Sequence, residues 1–337
     1  MLEKPNLPDE KIIASLQVEY GLRIQQVTFL PLGADLNTAV YRLAAEDGAA
    51  YFLKLRKGPF DETSVALPKF LSDQGISQII PPIPAVTGQL WGNLEPYKTI
   101  LYPFVDGRDG YAVDLTSQHW IDFGAALKRI HALELPPALI RHIQREIYSP
   151  QWRQDLKAFV ERFERESFND PLAAQLAGFM QARSQVVLDL IDRASRLARS
   201  LQSGPAQFVL CHSDIHAGNI LIGDDGALYI VDWDNPILAM KERDLMYAGG
   251  AQFGSRRTPQ EEENLFYQGY GPARVDSAAL AYYRYERIIQ DLAIECEQIV
   301  SRSGGGEDRK QAFHYLTSNF LPSNAIEVAY QWDHAPR

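Results

Sequence analysis

Two cysteines, Cys211 and Cys296, are all that the 337-residue sequence contains, and neither belongs to a CxxC pair or a Cys/His run with metal spacing. Thiolate zinc chemistry is therefore not expected, and a reduced, cytoplasmic setting is. No stretch approaches the ~18 uninterrupted apolar residues of a membrane-crossing helix. The polar start "MLEKPNLPDEK" reads as neither a signal peptide nor an anchor, so no membrane partner is expected. A dense Lys/Arg block is also missing; the formal net charge is −10 and the pI is near 5.3. Binding to nucleic acid phosphates is not expected, whereas an acidic surface favours a cationic small molecule. Internal repeats and long low-complexity segments are absent as well. What remains is ordinary globular composition, at a length that suggests about two domains or lobes.

Hydrophobic periodicity divides the chain. Residues 8–20 read as a capped amphipathic helix. Runs at 26–32, 39–45 and 49–56, with a turn at Glu46-Asp47-Gly48, read as an antiparallel meander. A helix from about Glu62, which Pro68 should break or kink, precedes two more strands at 89–94 and 97–105. Residues 1–105 thus predict a five-stranded sheet with one packed helix. From about 116 the pattern turns helical, at 116–133, 150–167, 170–203, 241–300 and 307–317. "RSGGGED" (302–308) reads as a surface loop, and "ENLFYQG" (263–269) as part of a helix. The expectation is an α+β chain: a small antiparallel-sheet lobe, 1–105, and a larger helical lobe, 106–337, with "YPFVDGRDG" as the hinge.

The stretch "VLCHSDIHAGNILIGDDGALYIVDWD" (209–234) crowds carboxylates between apolar runs. Asp225-Gly226 signals a two-residue hairpin, because both residues tolerate positive φ. In that register Leu221 opposes Ile230, and Asn219 opposes Asp232. Opposed side chains lie roughly 4.5–5.5 Å apart at Cβ, which suits one hard divalent cation. A three-residue loop would separate the pair. Asp214 precedes Asn219 in D-x-x-x-x-N spacing, as in a phosphoryl-transfer loop, where the Asp receives the acceptor proton and the Asn binds metal. The bland reading is a polar loop joining core strands. His212 and His216 can shape the loop backbone or touch substrate; zinc binding by them is the lesser reading.

"CHSDIHAGNILI…YIVDWD" resembles the catalytic core of the aminoglycoside phosphotransferases, which share a bilobal protein-kinase-like fold. "PLGADLNTAVY", "YFLKL", "REIYSPQWR", "DWDNPILAMKERDLM" and "YYRYERIIQD" extend the resemblance over essentially the whole chain. It implies an antibiotic-modifying kinase that uses ATP, or GTP, with Mg2+ on a cationic antibiotic acceptor, and a monomer is expected. Asp214 is then the catalytic base, Asn219 and Asp232 hold the metal, and Lys54 holds the α- and β-phosphates. Glu62, or next Asp61, should pair with Lys54. Backbone N–H groups around Asp35, Asn37 and Thr38 should cover the phosphates, although one glycine stands where kinases carry G-x-G-x-x-G. The hinge "LYPF" (101–104), with Tyr102 and Phe104, should bind the purine through its main chain. Asp234 lies near the metal or orients the loop, Arg243-Asp244 fixes the loop, and "RYERIIQD" (284–291) is either core or a wall of the acceptor cleft. A kinase acting on a metabolite alcohol and a non-catalytic pseudokinase are the alternatives.

Overall fold

The computed structural model describes residues 3–33, 35–250, 253, 257–301 and 306–333. In chain order these form α1 (Asp9–Tyr20), β1 (Ile24–Leu30), β2 (Thr38–Ala45), β3 (Ala50–Lys57), α2 (Thr63–Asp73), β4 (Gly92–Leu94), β5 (Tyr97–Pro103) and β6 (Gly107–Asp109). Next come α3 (Ser117–Ala132), α4 (Pro137–Ile140), β7 (Gln144–Arg145), α5 (Gln151–Arg165), α6 (Pro171–Gln181), α7 (Ser184–Gln202), β8 (Val209–Cys211), β9 (Ile220–Gly223), β10 (Leu228–Ile230) and β11 (Ile237–Ala239). The chain continues with α8 (Glu242–Leu245), α9 (Pro259–Tyr270), α10 (Ser277–Val300), α11 (Glu307–Ser318) and α12 (Ala325–Asp333). Among the described residues, no helix is long and apolar enough to cross a membrane. Of the expected loop 302–308, residues 302–305 lie outside the described residues, and α11 begins at Glu307.

Two compact units interleave along the sequence. The first comprises Met1–Leu115, Leu133–Ile143 and Ala217–Pro236; the second comprises Thr116–Ala132, Gln144–His216 and Ile237–Arg337. The 217–236 segment, which the sequence reading assigned to the helical lobe, groups with the N-terminal sheet. The cause is backbone pairing: β9 joins β6, and the Ile230 N–H donates to the Gln78 carbonyl at 2.8 Å.

In the first unit the meander forms as expected, in the order β1-β2-β3-β5-β4. Alternation along the strands sends Tyr41, Leu43, Leu53, Leu55 and Leu101 to one face, where they bury against Ile12, Leu16 and Tyr20 of α1. Pro8 gives α1 no side-chain cap, and Gly21 ends the helix in the left-handed region at φ 68°. The α2 helix runs through Pro68. On the other face of β3 stand Phe52, Lys54 and Arg56, with Ile100 and Tyr102 of β5 beside them.

The second unit is built around α10, which packs on α5, α7, α11 and α12 over a large apolar core of aliphatic and aromatic side chains. The expected helix 170–203 is two helices, α6 and α7, parted at Ala182 and Arg183. Asp170 caps the first by accepting from Ala173 N–H at 2.9 Å, with Pro171 at its first position. The α3 and α9 helices cross closely because each places a glycine on the other's backbone. A Cβ at Gly269 would strike the Ile121 carbonyl, and one at Gly124 the Phe266 carbonyl.

Candidate active site

Lys54 is nearly enclosed, its side chain 9% exposed, yet its ammonium meets two carboxylates: Nζ lies 2.7 Å from Asp232 Oδ1 and 2.7 Å from Asp234 Oδ1. Burial alone would neutralise this amine; Asp232 and Asp234 outweigh that and hold its pKa well above the usual lysine range. The second oxygen of Asp234 accepts from Arg56 Nη1, which also lies 3.3 Å from Asp35 Oδ2. Five charges therefore alternate in sign, from Asp232 through Lys54, Asp234 and Arg56 to Asp35. Arg56 is absent from the sequence reading, although its position two residues beyond Lys54 on one strand face was a usable signal.

The expected partner of Lys54 is corrected by this pairing. Glu62 stands exposed just before α2, its carbonyl accepting from Val65 and Ala66, and among the described residues its side chain makes no ion pair. Asp61 instead caps that helix, Oδ1 accepting from the Thr63 N–H at 2.9 Å. The loop residues are also engaged locally. Asp35 accepts from the Asn37 N–H at 2.9 Å, from the Thr38 hydroxyl at 2.8 Å and, through its carbonyl, from the Thr38 N–H at 3.3 Å. These bonds make Asp35 and Thr38 the fastening of the turn, and they occupy N–H groups expected to face phosphate.

The hairpin register is off by one from the expectation. Leu228 opposes Ile222, Tyr229 opposes Leu221 and Ile230 opposes Ile220. The Gly223 N–H donates to the Ala227 carbonyl at 2.8 Å, so the loop holds three residues, with Gly226 at φ 82°. Three-residue loops of this kind end on a left-handed glycine, whereas the two-residue reading needed positive φ at Asp225 as well. Val231, not Asp232, pairs with Asn219, its N–H donating to the Asn219 carbonyl at 3.0 Å. Asp232 then leaves the strand at φ 66°, an uncommon conformation for a non-glycine residue, and its carboxylate goes to Lys54. Cross-strand opposition is thus not what aims Asp232; the left-handed turn does. Asn219 is buried at the end of a 3-10 turn, Ala217–Asn219.

At the expected hinge, residues 101–104, which lie inside the first unit, the Phe104 N–H donates to the Ala50 carbonyl at 3.1 Å and is spent on the sheet. Tyr102 lies on the Lys54 face, its phenol pushed up by burial with Lys54 opposing, and Arg42 covers the Phe104 ring at 4.9 Å.

In the second unit, Asp214 belongs to a loop clamped from below. Asp244 Oδ2 accepts from the His212 N–H at 2.9 Å, and Oδ1 from the Ser213 N–H at 2.7 Å. The Tyr247 hydroxyl donates to the Ser213 carbonyl at 2.8 Å, so Ser213 is held from both sides at φ 72°. The Asp214 N–H donates to His212 Nδ1 at 3.2 Å, which makes His212, fully buried, a shaping residue for the loop. His216 Nε2 lies 3.7 Å from Asp214 Oδ1. His131, Cys211 and Asp244 cluster within 4.8 Å, but Asp244 is spent on N–H groups, and burial pushes the Cys211 thiol up. Arg287, on α10, brings Nη1 to 2.6 Å from Asp214 Oδ1. Burial favours the neutral acid at Asp214; Arg287, then His216 and His212, reverse this and hold it well below the usual carboxylate range.

A strand-borne lysine and an Asp five residues before an Asn are residue types, in a spacing, that phosphoryl-transfer enzymes of kinase type also use. The chain belongs to the phosphotransferase enzyme family, whose profile matches residues 28–278. Among solved structures it is similar to spectinomycin phosphotransferase in complex with ADP and spectinomycin. That match has 36% identity and a TM-score of 0.91, covering 98% of this chain and 100% of the other. An amicoumacin kinase (18% identity, TM-score 0.62, 96% and 94% covered) shares the fold. So does the choline kinase LicA of Streptococcus pneumoniae (14%, 0.59, 96% and 99%). No curated protein matches the sequence. The fold is thus the kinase-like one, and the protein is a phosphotransferase with an alcohol acceptor.

Proposed function

We propose that the protein transfers the γ-phosphate of ATP to a hydroxyl of an aminocyclitol antibiotic, spectinomycin or a near relative. The observation that carries this reading is the 36% identity to spectinomycin phosphotransferase along nearly the full length of both chains. The choline kinase and amicoumacin kinase likenesses extend to the fold alone and favour no other acceptor. The net charge of −10 suits an acceptor carrying protonated amines.

In this reading Asp214 accepts the hydroxyl proton as the new O–P bond forms and the bond to the β,γ-bridging oxygen breaks. A carboxylate held so far below neutrality is a weak base. Its main contribution is to accept and aim the hydroxyl, which suits a loose transition state with late proton transfer. Lys54 binds the phosphates. The main chain of residues 101–104 would bind the adenine edge, through groups other than the Phe104 N–H, which is spent on Ala50. Asn219 and Asp232 would hold Mg2+, with Asp234, which shares Lys54 with Asp232, as a further oxygen donor. Their oxygen donors suit a hard divalent cation, and the lysine ammonium on Asp232 and Asp234 marks those carboxylates as a seat for positive charge. When bound, the ion supplies neutralisation of the charge on the transferring phosphate.

The test is incubation with MgATP and spectinomycin, with the product analysed by mass spectrometry and 31P NMR. Phosphate on a spectinomycin hydroxyl is expected. ADP release only with an unrelated alcohol, such as choline or homoserine, overturns the acceptor assignment.

A further inference from the structure

The α10 helix carries Arg287, Asp291 and Glu295 at intervals of four, so the three side chains form one stripe. The first of them reaches the catalytic loop. Arg287 Nη1 donates to Asp214 Oδ1 at 2.6 Å and to the Tyr247 hydroxyl at 3.3 Å, while Nε donates to Asp291 Oδ2 at 2.9 Å. The guanidinium is 17% exposed and is gripped at two separate nitrogens, one on each carboxylate. A planar group held in this way has no rotational freedom left, and it passes that rigidity to whatever it binds. Tyr247 meanwhile anchors the Ser213 carbonyl, so one contact set fixes both the backbone before Asp214 and its carboxylate.

We infer that Arg287 is a positioning residue for Asp214: its two-point grip sets the rotation of the base's carboxylate, and Asp291 is the strut that holds Arg287 in place. The inference rests on the reading of Asp214 as the base. The groups facing that carboxylate are Arg287, Asp291 and Tyr247 from the helices, with His216 and His212 from its own loop. Only Arg287 among them is a permanent cation, so its removal frees Asp214 to take up protons at ordinary carboxylate pH. A lysine at 287 restores the charge but lacks the planar fork whose separate nitrogens reach Asp214 and Asp291, so it does not reproduce the fixed orientation.

Three variants test this in the full-length enzyme: Arg287→Gln, Arg287→Lys and Asp291→Asn. Arg287→Gln is expected to lower kcat about 100-fold, the scale of a misplaced reacting group, with the nucleotide Kd within about twofold. It should also develop an acid limb in kcat/KM at about pH 4–6, absent from the wild type over that range. Arg287→Lys should lack the limb and recover part of kcat. Asp291→Asn should give a smaller kcat loss that adds nothing to Arg287→Gln. Unchanged kcat in Arg287→Gln overturns the inference. So does a loss that tracks a fall in Tm, without an acid limb and without any difference between Gln and Lys. The wild type is assayed first on spectinomycin. If it transfers no phosphate there, the same ratios are read from ATP turnover with water as acceptor, so a wrong acceptor shows in the wild type and a wrong role for Arg287 only in the variants.

Discussion

A charged series in the first unit and a buried carboxylate in the second, Asp244, are held in opposite ways. In the first unit, Asp232, Lys54, Asp234, Arg56 and Asp35 hold one another side chain to side chain, and the ends of the series are open, Asp232 being 46% exposed. In the second, Asp244 has no exposed side-chain surface, and its carboxylate is spent on main-chain N–H groups of the loop that carries Asp214. The outer members of that series, Asp232, Arg56 and Asp35, can exchange partners at modest cost, since their side chains rotate and water reaches them, whereas Lys54 between them is enclosed. A buried carboxylate that satisfies backbone donors cannot let go without leaving them unpaired. The first arrangement suits groups that must accept a ligand's charges; the second suits a loop that must not move.

Asp214→Asn should break function most severely. The isosteric amide keeps the fold but cannot take a proton, so kcat should fall by about 10³-fold or more while nucleotide affinity stays near that of the wild type. Near-normal turnover would remove Asp214 as the base. Lys54→Met should follow, with a loss of about 10²-fold in kcat/KM and weakened nucleotide binding. Lys54 is itself enclosed between Asp232 and Asp234, so Lys54→Met should also lower Tm by leaving two carboxylates with Arg56 as their offset. A Tm equal to that of the wild type would show that Arg56 and water satisfy both carboxylates.

Asp244→Ala probes the other arm of the comparison. It strands the His212 and Ser213 N–H groups and His131 Nε2 in a buried site, an expected cost of about 3 kcal/mol in unfolding free energy. Denaturant titration should therefore show the loss even in the absence of nucleotide and acceptor. Stability equal to that of the wild type would mean that the loop keeps its shape without the clamp.

How much of this was legible before the fold depends on the distance over which each decision is made. The meander, α3 and α10 follow from periodicity, whereas Lys54, Asp214, Asn219 and Asp232 are candidates from short-range spacing and family resemblance, and their roles belong to the proposal. The hairpin register failed at a single choice, whether Asp225 or only Gly226 takes positive φ, and composition does not decide that. Glu62 failed because a helix register cannot say which carboxylate reaches a strand; the partners of Lys54 lie 178 and 180 residues away. Arg287 and Asp291 could be read as a helical pair, but the contact with Asp214 spans 73 residues. The glycine crossing of α3 and α9 left no local signal at all, since Gly124 and Gly269 keep ordinary helical positions and serve only the opposing backbone.

The smallest expected effect concerns pH and again separates the units. Two buried carboxyls of the second unit are pushed up to about 7, chiefly by burial: Glu263, opposed by Arg284, and Glu286, opposed by Arg153, whose Nη1 lies 3.3 Å away. A carboxyl whose folded pKa exceeds its unfolded value holds its proton more tightly in the native state. Its contribution to stability is full below about pH 4.5 and is lost as pH rises through about 7. The second unit should therefore lose stability between about pH 5 and 8, a window in which most carboxylates have finished titrating. Glu286→Gln keeps the neutral shape at every pH and should flatten the fall in Tm across that window. A slope that is unchanged in both Glu286→Gln and Glu263→Gln would place the titrating group elsewhere.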